Sequence, residues 1–459
     1  MKLSPEHEQL LLGRSLLEEE IPFKETLPLY IQQKIVYQTP AMTKIKHRYR
    51  CNRCNEHSPQ FILPYHCARC GQVCYYCRKC LQLGRVTSCS YLYVCPGQLV
   101  DIQETNEQYL DWAGQLSPGQ EMASDRVVET IEKKSDLLIW AVCGAGKSEV
   151  IFAGINRALQ LGQRIAIATP RTDVVHELTP RLKKVFPKNS LVSLYGGSDE
   201  RMKFAQITIT TTHQLLRFDQ AFDVMIVDEV DAFPYSVDKM LQFAVKKAMK
   251  HDAAQIYLTA TPDRQLQLQC KYNKTNYVKI PSRYHRHPLP LPTFYWCGNW
   301  RKSIQKNKLP KQLIQWVTQT LQNNHPILLF FPHIQLMEQA LPLFQSSFTV
   351  KVASVHSQDE QRREKVQAMR DKNIHILLTT MILERGVTFP NVAVAVIGAE
   401  DATFTESALV QISGRVGRSA QFPTGPLAFF HFGRTKAMLD ALNQMIQMNK
   451  EAKERGDLL

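Results

Sequence analysis

The chain has 459 residues, 44% hydrophobic and 21% charged, which supports two or three domains with buried cores and excludes disorder on a large scale. Lys and Arg number 56 against 42 Asp and Glu, and the formal charge of +14 favours a polyanionic partner, either nucleic acid or an acidic membrane surface. No stretch approaches the roughly 18–20 unbroken apolar residues of a spanning helix, and the N-terminus has no signal-peptide core, so a cytoplasmic protein without its own membrane anchor is expected.

Residues 1–47 are helical or mixed in pattern, run into the basic stretch "KIKHRYR", and carry no chemistry that assigns them a role. Residues 48–97 hold nine of the twelve cysteines, as "CNRC" at 51–54, "CARC" at 67–70, "CYYCRKC" at 74–80, then Cys89 and Cys95. In a reducing compartment such crowding points to metal rather than disulfides. Two Cys-x-x-Cys pairs suffice for a tetrahedral zinc ion, and spacing alone favours Cys51 and Cys54 with Cys67 and Cys70. Arg48, Tyr49, Arg50, Tyr75, Tyr76, Arg78 and Lys79 lie among these thiols. Their mixture of charge and aromatic faces suits single-strand binding, and suits equally the aromatic filling that so small a module needs. Cys143, Cys270 and Cys297 read as ordinary small apolar residues.

From about residue 98, short β-type runs alternate with helical patterns, the signal for a parallel sheet with crossover helices. "DLLIWAV", "RIAIATP", "ITITTT", "DVMIVDEVD" and "QIYLTATP" form a first series. The proline-rich, basic "KIPSRYHRHPLPLP" at 279–292 marks a boundary. A second series follows it: "PILLFF", "TVKVASVH", "IHILLTTMI", "VAVAVIGA" and "PLAFFHF". The expectation is two tandem α/β domains over 98–288 and 289–459.

"AVCGAGKS", from Ala141 to Ser148, matches the P-loop pattern G-x-x-x-x-G-K-[ST] with Ala in the first position. Gly144, Ala145 and Gly146 would let the backbone curl its N–H groups around phosphates at the start of a helix. Lys147 would reach the β- and γ-phosphates of ATP and Ser148 would hold Mg²⁺. Hydrolysis needs acidic support as well, and "VMIVDEVD" offers Asp228 for the metal shell and Glu229 for the attacking water.

With these residues in order, the chain from about 115 onward resembles the superfamily 2, DEAD-like helicases and translocases. The resemblance implies two RecA-like parallel-sheet domains. It also implies adenine recognition by Gln120 in "LSPGQ", coupling of hydrolysis to domain movement by Thr259 and Thr261 in "TATP", and a nucleotide contact at Gly386 in "TTMILERGVTFP". Arg415 and Arg418 in "QISGRVGR" would reach the γ-phosphate from the second domain when the cleft closes. More narrowly, "ATPRTDVV", "LYGGSD", "TTHQLLR", "DEVDAFPYS", "WCGNW" and "FTESALVQISGR", together with the cysteine module, resemble the ComFA family of late competence proteins of Gram-positive bacteria.

That family implies an ATPase stimulated by single-stranded DNA that acts in uptake of transforming DNA at the inner face of the membrane. Its implied partners are the ComFC protein and the channel protein ComEC. It implies a zinc ligand set of Cys51, Cys54, Cys77 and Cys80, leaving Cys67, Cys70 and Cys74 over; a second site completed by His66 or Cys89 stays open.

Tracks of this architecture grip a strand through its phosphates. The candidates on the first domain are Pro170, Arg171, Thr172, Gly196, Gly197, Thr211, Thr212 and His213. On the second domain they are Phe331, Pro332, His356, Thr380 and Arg385. Such contacts do not report the sugar, so an RNA- or duplex-directed helicase is an alternative, as is a zinc-bearing adaptor with weak ATPase activity.

Overall fold

The structure is a computed structural model that describes residues 3–96, 104–201, 203, 205–272, 274–385 and 388–459. Contacts divide the chain into two units. The first comprises Met1–Gln115, Met122–Ile139 and Ser148–Val278, and the second Leu116–Glu121, Trp140–Lys147 and Lys279–Leu459.

Continuous apolar runs build each main sheet, because a strand covered by helices on both faces has no solvent side to reserve for polar residues. Ile165–Thr169 and Ile207–Thr211 are buried at every position. In order across the sheet, the seven strands are Leu191–Leu194, Ile207–Thr211, Ile165–Thr169, Phe222–Asp228, Met249–Thr259, Asp136–Ala141 and Tyr277–Ile280. The pairings among the first five are all parallel. The other sheet, in the second unit, has six strands ordered Thr293–Trp296, Leu427–His431, Ala393–Ile397, Ile327–Phe330, Ile376–Thr379 and Val352–Val355, with every pairing parallel. These are the two RecA-like domains expected from the sequence.

Ahead of them, Arg14–Leu17, Tyr91–Cys95 and Tyr37–Pro40 form an antiparallel three-stranded sheet, Tyr91–Cys95 in the middle. Two hairpins, Met42–Ile45 with Arg48–Cys51 and Ile62–His66 with Val73–Cys77, carry most of the cysteines. The module shares one core with the first sheet's helices: Leu17, Met42, Ile62 and Val86 pack with Leu215, Leu216, Phe218 and Leu241. Apolar continuity of this kind makes the module part of the first unit rather than an appendage.

Candidate nucleotide and metal sites

The strand Asp136–Ala141 is buried from Leu137 onward and ends in a turn closed by the Ala145 N–H donating to the Val142 carbonyl at 3.1 Å. Gly144 (φ +84°) and Gly146 (φ +73°) lie in the left-handed region that L side chains avoid, which is why glycine stands at both places. A helix begins at Lys147.

The second unit's own residues brace this turn. Val142 N–H donates to Ile280 O at 3.1 Å, and Tyr284 N–H donates to Gly144 O at 3.2 Å. The Gln120 carboxamide is buried and engaged at both ends, accepting from Ser117 N–H at 2.8 Å and donating to Ala145 O at 2.9 Å. Cys143 is buried, and its thiol donates to Gln411 Oε1 at 3.0 Å. A Cβ added to Gly414 would fall 2.3 Å from Cys143 Cβ, so only glycine fits at that approach.

Arg415 is buried and donates from Nε to Glu384 O at 3.0 Å, while Arg418 donates from Nε to Gly414 O at 2.9 Å. Arg283, which sequence reasoning left inside a boundary segment, is wholly buried beside Gly144 and donates from Nη1 to Gly417 O. The basic stretch after Val278 thus packs under the turn that precedes Lys147. Gly386 lies outside the described residues.

In the first unit, Asp228 closes the strand Phe222–Asp228 and accepts the Glu229 N–H on Oδ1 at 2.8 Å. Glu229 sits at φ +55°, a conformation that costs a non-glycine residue roughly 1–2 kcal/mol and is met chiefly where surrounding structure enforces it. Asp231, which the sequence reading passed over, binds both threonines of "TATP": Oδ1 accepts from Thr259 Oγ1 at 2.7 Å and Oδ2 from Thr261 Oγ1 at 2.6 Å. Its signal was the fourth letter of "DEVD". Ser148 Oγ accepts a long 3.5 Å bond from Arg181, whose guanidinium also pairs with Glu149.

The strand-contact candidates gather at the ends of neighbouring parallel strands. Pro170, Arg171 and Thr172 follow Ile165–Thr169; Gly196 and Gly197 follow Leu191–Leu194; Thr211, Thr212 and His213 finish or follow Ile207–Thr211. Thr212 N–H donates to Thr169 O at 2.9 Å, tying two of these turns together. Burial lowers the His213 imidazolium pKa against the opposing pull of Asp238. In the second unit, Phe331, His356 and Thr380 follow three adjacent strands, and Pro332 and Arg385 lie in the same connections. The Phe331 ring is buried in the apolar core, and the Arg385 side chain is buried with its Nε 3.4 Å from Glu384.

Cys51, Cys54, Cys77 and Cys80 are all buried, with their sulfurs within 4.8 Å of one another. Sulfur separations of 3.8 Å (Cys51 to Cys80) and 3.5 Å (Cys54 to Cys77) match the roughly 3.8 Å edge of a tetrahedron with metal–sulfur bonds of about 2.3 Å, so the residues fit a zinc ion. The site is bolted to the first sheet's helices by charge. Glu20 pairs with Arg53 at 2.6 Å and with Arg217 at 2.6 Å, and Arg53 also donates to Leu83 O at 3.1 Å. Lys79 bridges Glu56 at 3.0 Å and Asp238 at 3.4 Å. Tyr49 and Tyr75 pack together on the module's core, their ring centres 4.8 Å apart, which favours the filling role for these two rings.

Residues 1–94 match the Competence protein ComFA N-terminal domain. Over 455 residues the chain is 46% identical to Competence protein ComFA of Bacillus subtilis (strain 168), covering 98% of this chain and 96% of that protein. The chain belongs to the ComFA family. Its Streptococcus pneumoniae (strain ATCC BAA-255 / R6) relative of the same name is 38% identical, with coverage of 96% of this chain and 98% of that protein. Beyond the family's N-terminal domain, residues 113–264 match the Type III restriction enzyme, res subunit, and residues 305–420 the Helicase conserved C-terminal domain. This ComFA-family chain is therefore a superfamily 2 helicase-like protein. Among solved structures, S. cerevisiae Dbp5 bound to RNA and ADP BeF3 is similar at TM-score 0.54 and 14% identity, over 75% of this chain and 92% of that one. Mss116p bound to ssRNA and AMP-PNP is similar at TM-score 0.53 and 17% identity, over 69% of each chain. These likenesses bear on the fold alone. Among the described residues, no helix is long and apolar enough to cross a membrane.

Proposed function

We propose that this protein is a single-stranded-DNA-stimulated ATPase that moves along the strand during uptake of transforming DNA. The observation that carries the reading is the set of glycines, Lys147 and Ser148 following the strand Asp136–Ala141, with Asp228 and Glu229 at the end of Phe222–Asp228, in a ComFA-family chain. In this reading the turn from Gly144 to Gly146 and the helix starting at Lys147 receive the phosphates, and Ser148 and Asp228 hold Mg²⁺. Mg²⁺ would neutralise charge on the phosphates. Glu229 orients the attacking water. Asp231 passes the state of its loop to Thr259 and Thr261, and Arg415 and Arg418 complete the site on closure.

Strand contacts fall to the turns around Arg171, Gly197, Thr212, His356 and Thr380, supported by the gathering of these turns at strand ends. Zinc in Cys51, Cys54, Cys77 and Cys80 supplies folding free energy to the N-terminal module. The resemblance to the family supports ComFC and ComEC as partners at the inner membrane face.

The test is steady-state ATP turnover by the full chain with poly-dT, poly-U and duplex DNA at two salt concentrations. Poly-dT should stimulate most, with stimulation falling as salt rises, because phosphate contacts release counterions. Equal stimulation by poly-U would favour the RNA reading. Absence of turnover with every polymer would favour the adaptor.

A further inference from the structure

Cys67, Cys70, Cys74 and Cys89 stand outside the ligand set just described, yet their four sulfurs also lie within 4.8 Å of one another. We propose that they form a second zinc site, so that the N-terminal module carries two ions.

The chain makes the same turn twice. At the first site Cys51 N–H donates to Glu56 O at 2.8 Å, Asn55 N–H donates to Cys51 O at 2.8 Å, and Asn55 takes φ +62°. At the second, Cys67 N–H donates to Gln72 O at 2.9 Å, Gly71 N–H donates to Cys67 O at 2.8 Å, and Gly71 takes φ +68°. Each turn wraps a Cys-x-x-Cys pair so that both sulfurs face the same point. Congruent backbone around congruent spacing argues for the same occupant, because the left-handed residue closes each turn in the same way and leaves the two thiols of "CNRCN" and of "CARCG" presented alike.

The other two thiols arrive from a strand and from a segment laid along it. Cys74 lies on the strand Val73–Cys77, opposite Tyr65 in the hairpin whose tip is the turn at Cys67. Cys89 comes from a segment laid along that strand: Cys77 N–H donates to Val86 O at 3.0 Å and Ser88 N–H donates to Tyr75 O at 2.9 Å. A turn between Thr87 and Ser90 then swings Cys89 inward, held by Thr87 N–H donating to Ser90 Oγ at 2.9 Å. The sulfurs of Cys67 and Cys89 are 3.6 Å apart and those of Cys70 and Cys74 3.3 Å, close to the edge of a zinc tetrahedron. The Thr87 hydroxyl lies 3.4 Å from Cys89 Sγ, in reach to donate to a thiolate. His66 is not in the set, which the four thiols complete.

The two sites differ in depth. All four thiols of the first are buried, whereas at the second Cys70 is exposed and Cys89 half-exposed. The second ion is therefore the first to leave under a chelator. Its loss frees the hairpin tip and the segment around Thr87 while the first site stays closed.

Zinc per chain, measured by elemental analysis on the full chain after gel filtration, tests the proposal. Two ions are expected, falling to one in the Cys70→Ser/Cys89→Ser variant. Parent protein titrated with a thiol-blocking mercurial, with zinc release followed by a metallochromic dye, should release zinc in two steps of equal amplitude, and this reading does not depend on any variant folding. One zinc per parent chain, an unchanged count in the variant, or iron in place of zinc would overturn the second site.

Discussion

Asp231 holds two hydroxyls with one carboxylate, and neither Thr259 nor Thr261 is exposed enough for water to replace it. Removing the acceptor deletes both bonds, each to a charged group and worth about 1.5–3 kcal/mol. Asp231→Ala should therefore lower the urea midpoint markedly. Adding Thr259→Val and Thr261→Val should cost less than the two changes cost in the parent, because the bonds to Asp231 are already gone. Strict additivity of the three changes would contradict the bonding described. Residues of this kind differ in how far sequence betrays them. Lys147, Ser148, Asp228 and Glu229 are legible because the P-loop pattern and the strand that ends in "DEVD" have a recognisable spacing and order. Arg283 is not: in "KIPSRYHRHPLPLP" it looks like one more solvated cation, and only the folded chain buries it beside Gly144.

At the scale of elements, the ion triad of Glu20, Arg53 and Arg217 fastens the cysteine module to the helices of the first sheet. Burial raises the Glu20 carboxyl pKa, but Arg53 and Arg217 outweigh it and hold the group below its ordinary value. A carboxyl lowered in the folded state contributes stability fully above its unfolded pKa of about 4.3, and that contribution is lost as pH falls through the folded value. Glu20→Gln leaves the Arg53 charge, wholly buried, without a counter-charge, and should cost about 3–5 kcal/mol at pH 7. Urea midpoints of parent and variant should converge as pH falls through the lowered Glu20 value; a constant difference across that range would contradict the assignment. The long apolar strands, such as Ile165–Thr169 and Ala393–Ile397, were legible as continuous runs. Thr293–Trp296 was not, since this four-residue edge strand has no fully buried position. Nor was the pairing of Arg14–Leu17 with Tyr91–Cys95, which joins the two ends of the N-terminal region and has no local signal.

At the scale of the whole molecule, fold class and the order of motifs were readable because both follow from alternating apolar runs and the glycine-containing turns between them. The second group of cysteines was readable as three surplus thiols of an open second site, with the fourth ligand undecided between His66 and Cys89. Ligand sets depend on which turns meet, and the hairpin Ile62–Cys77 brings Cys74 to one site and Cys77 to the other. The account as a whole rests on Lys147 serving a nucleotide whose hydrolysis answers to a bound strand. ATP turnover by the purified full chain and by Lys147→Ala, each with and without single-stranded DNA, tests this most directly. The parent should be stimulated by the strand and the variant should show no strand-stimulated turnover. A variant that hydrolyses ATP on single-stranded DNA at the parent's rate would contradict it.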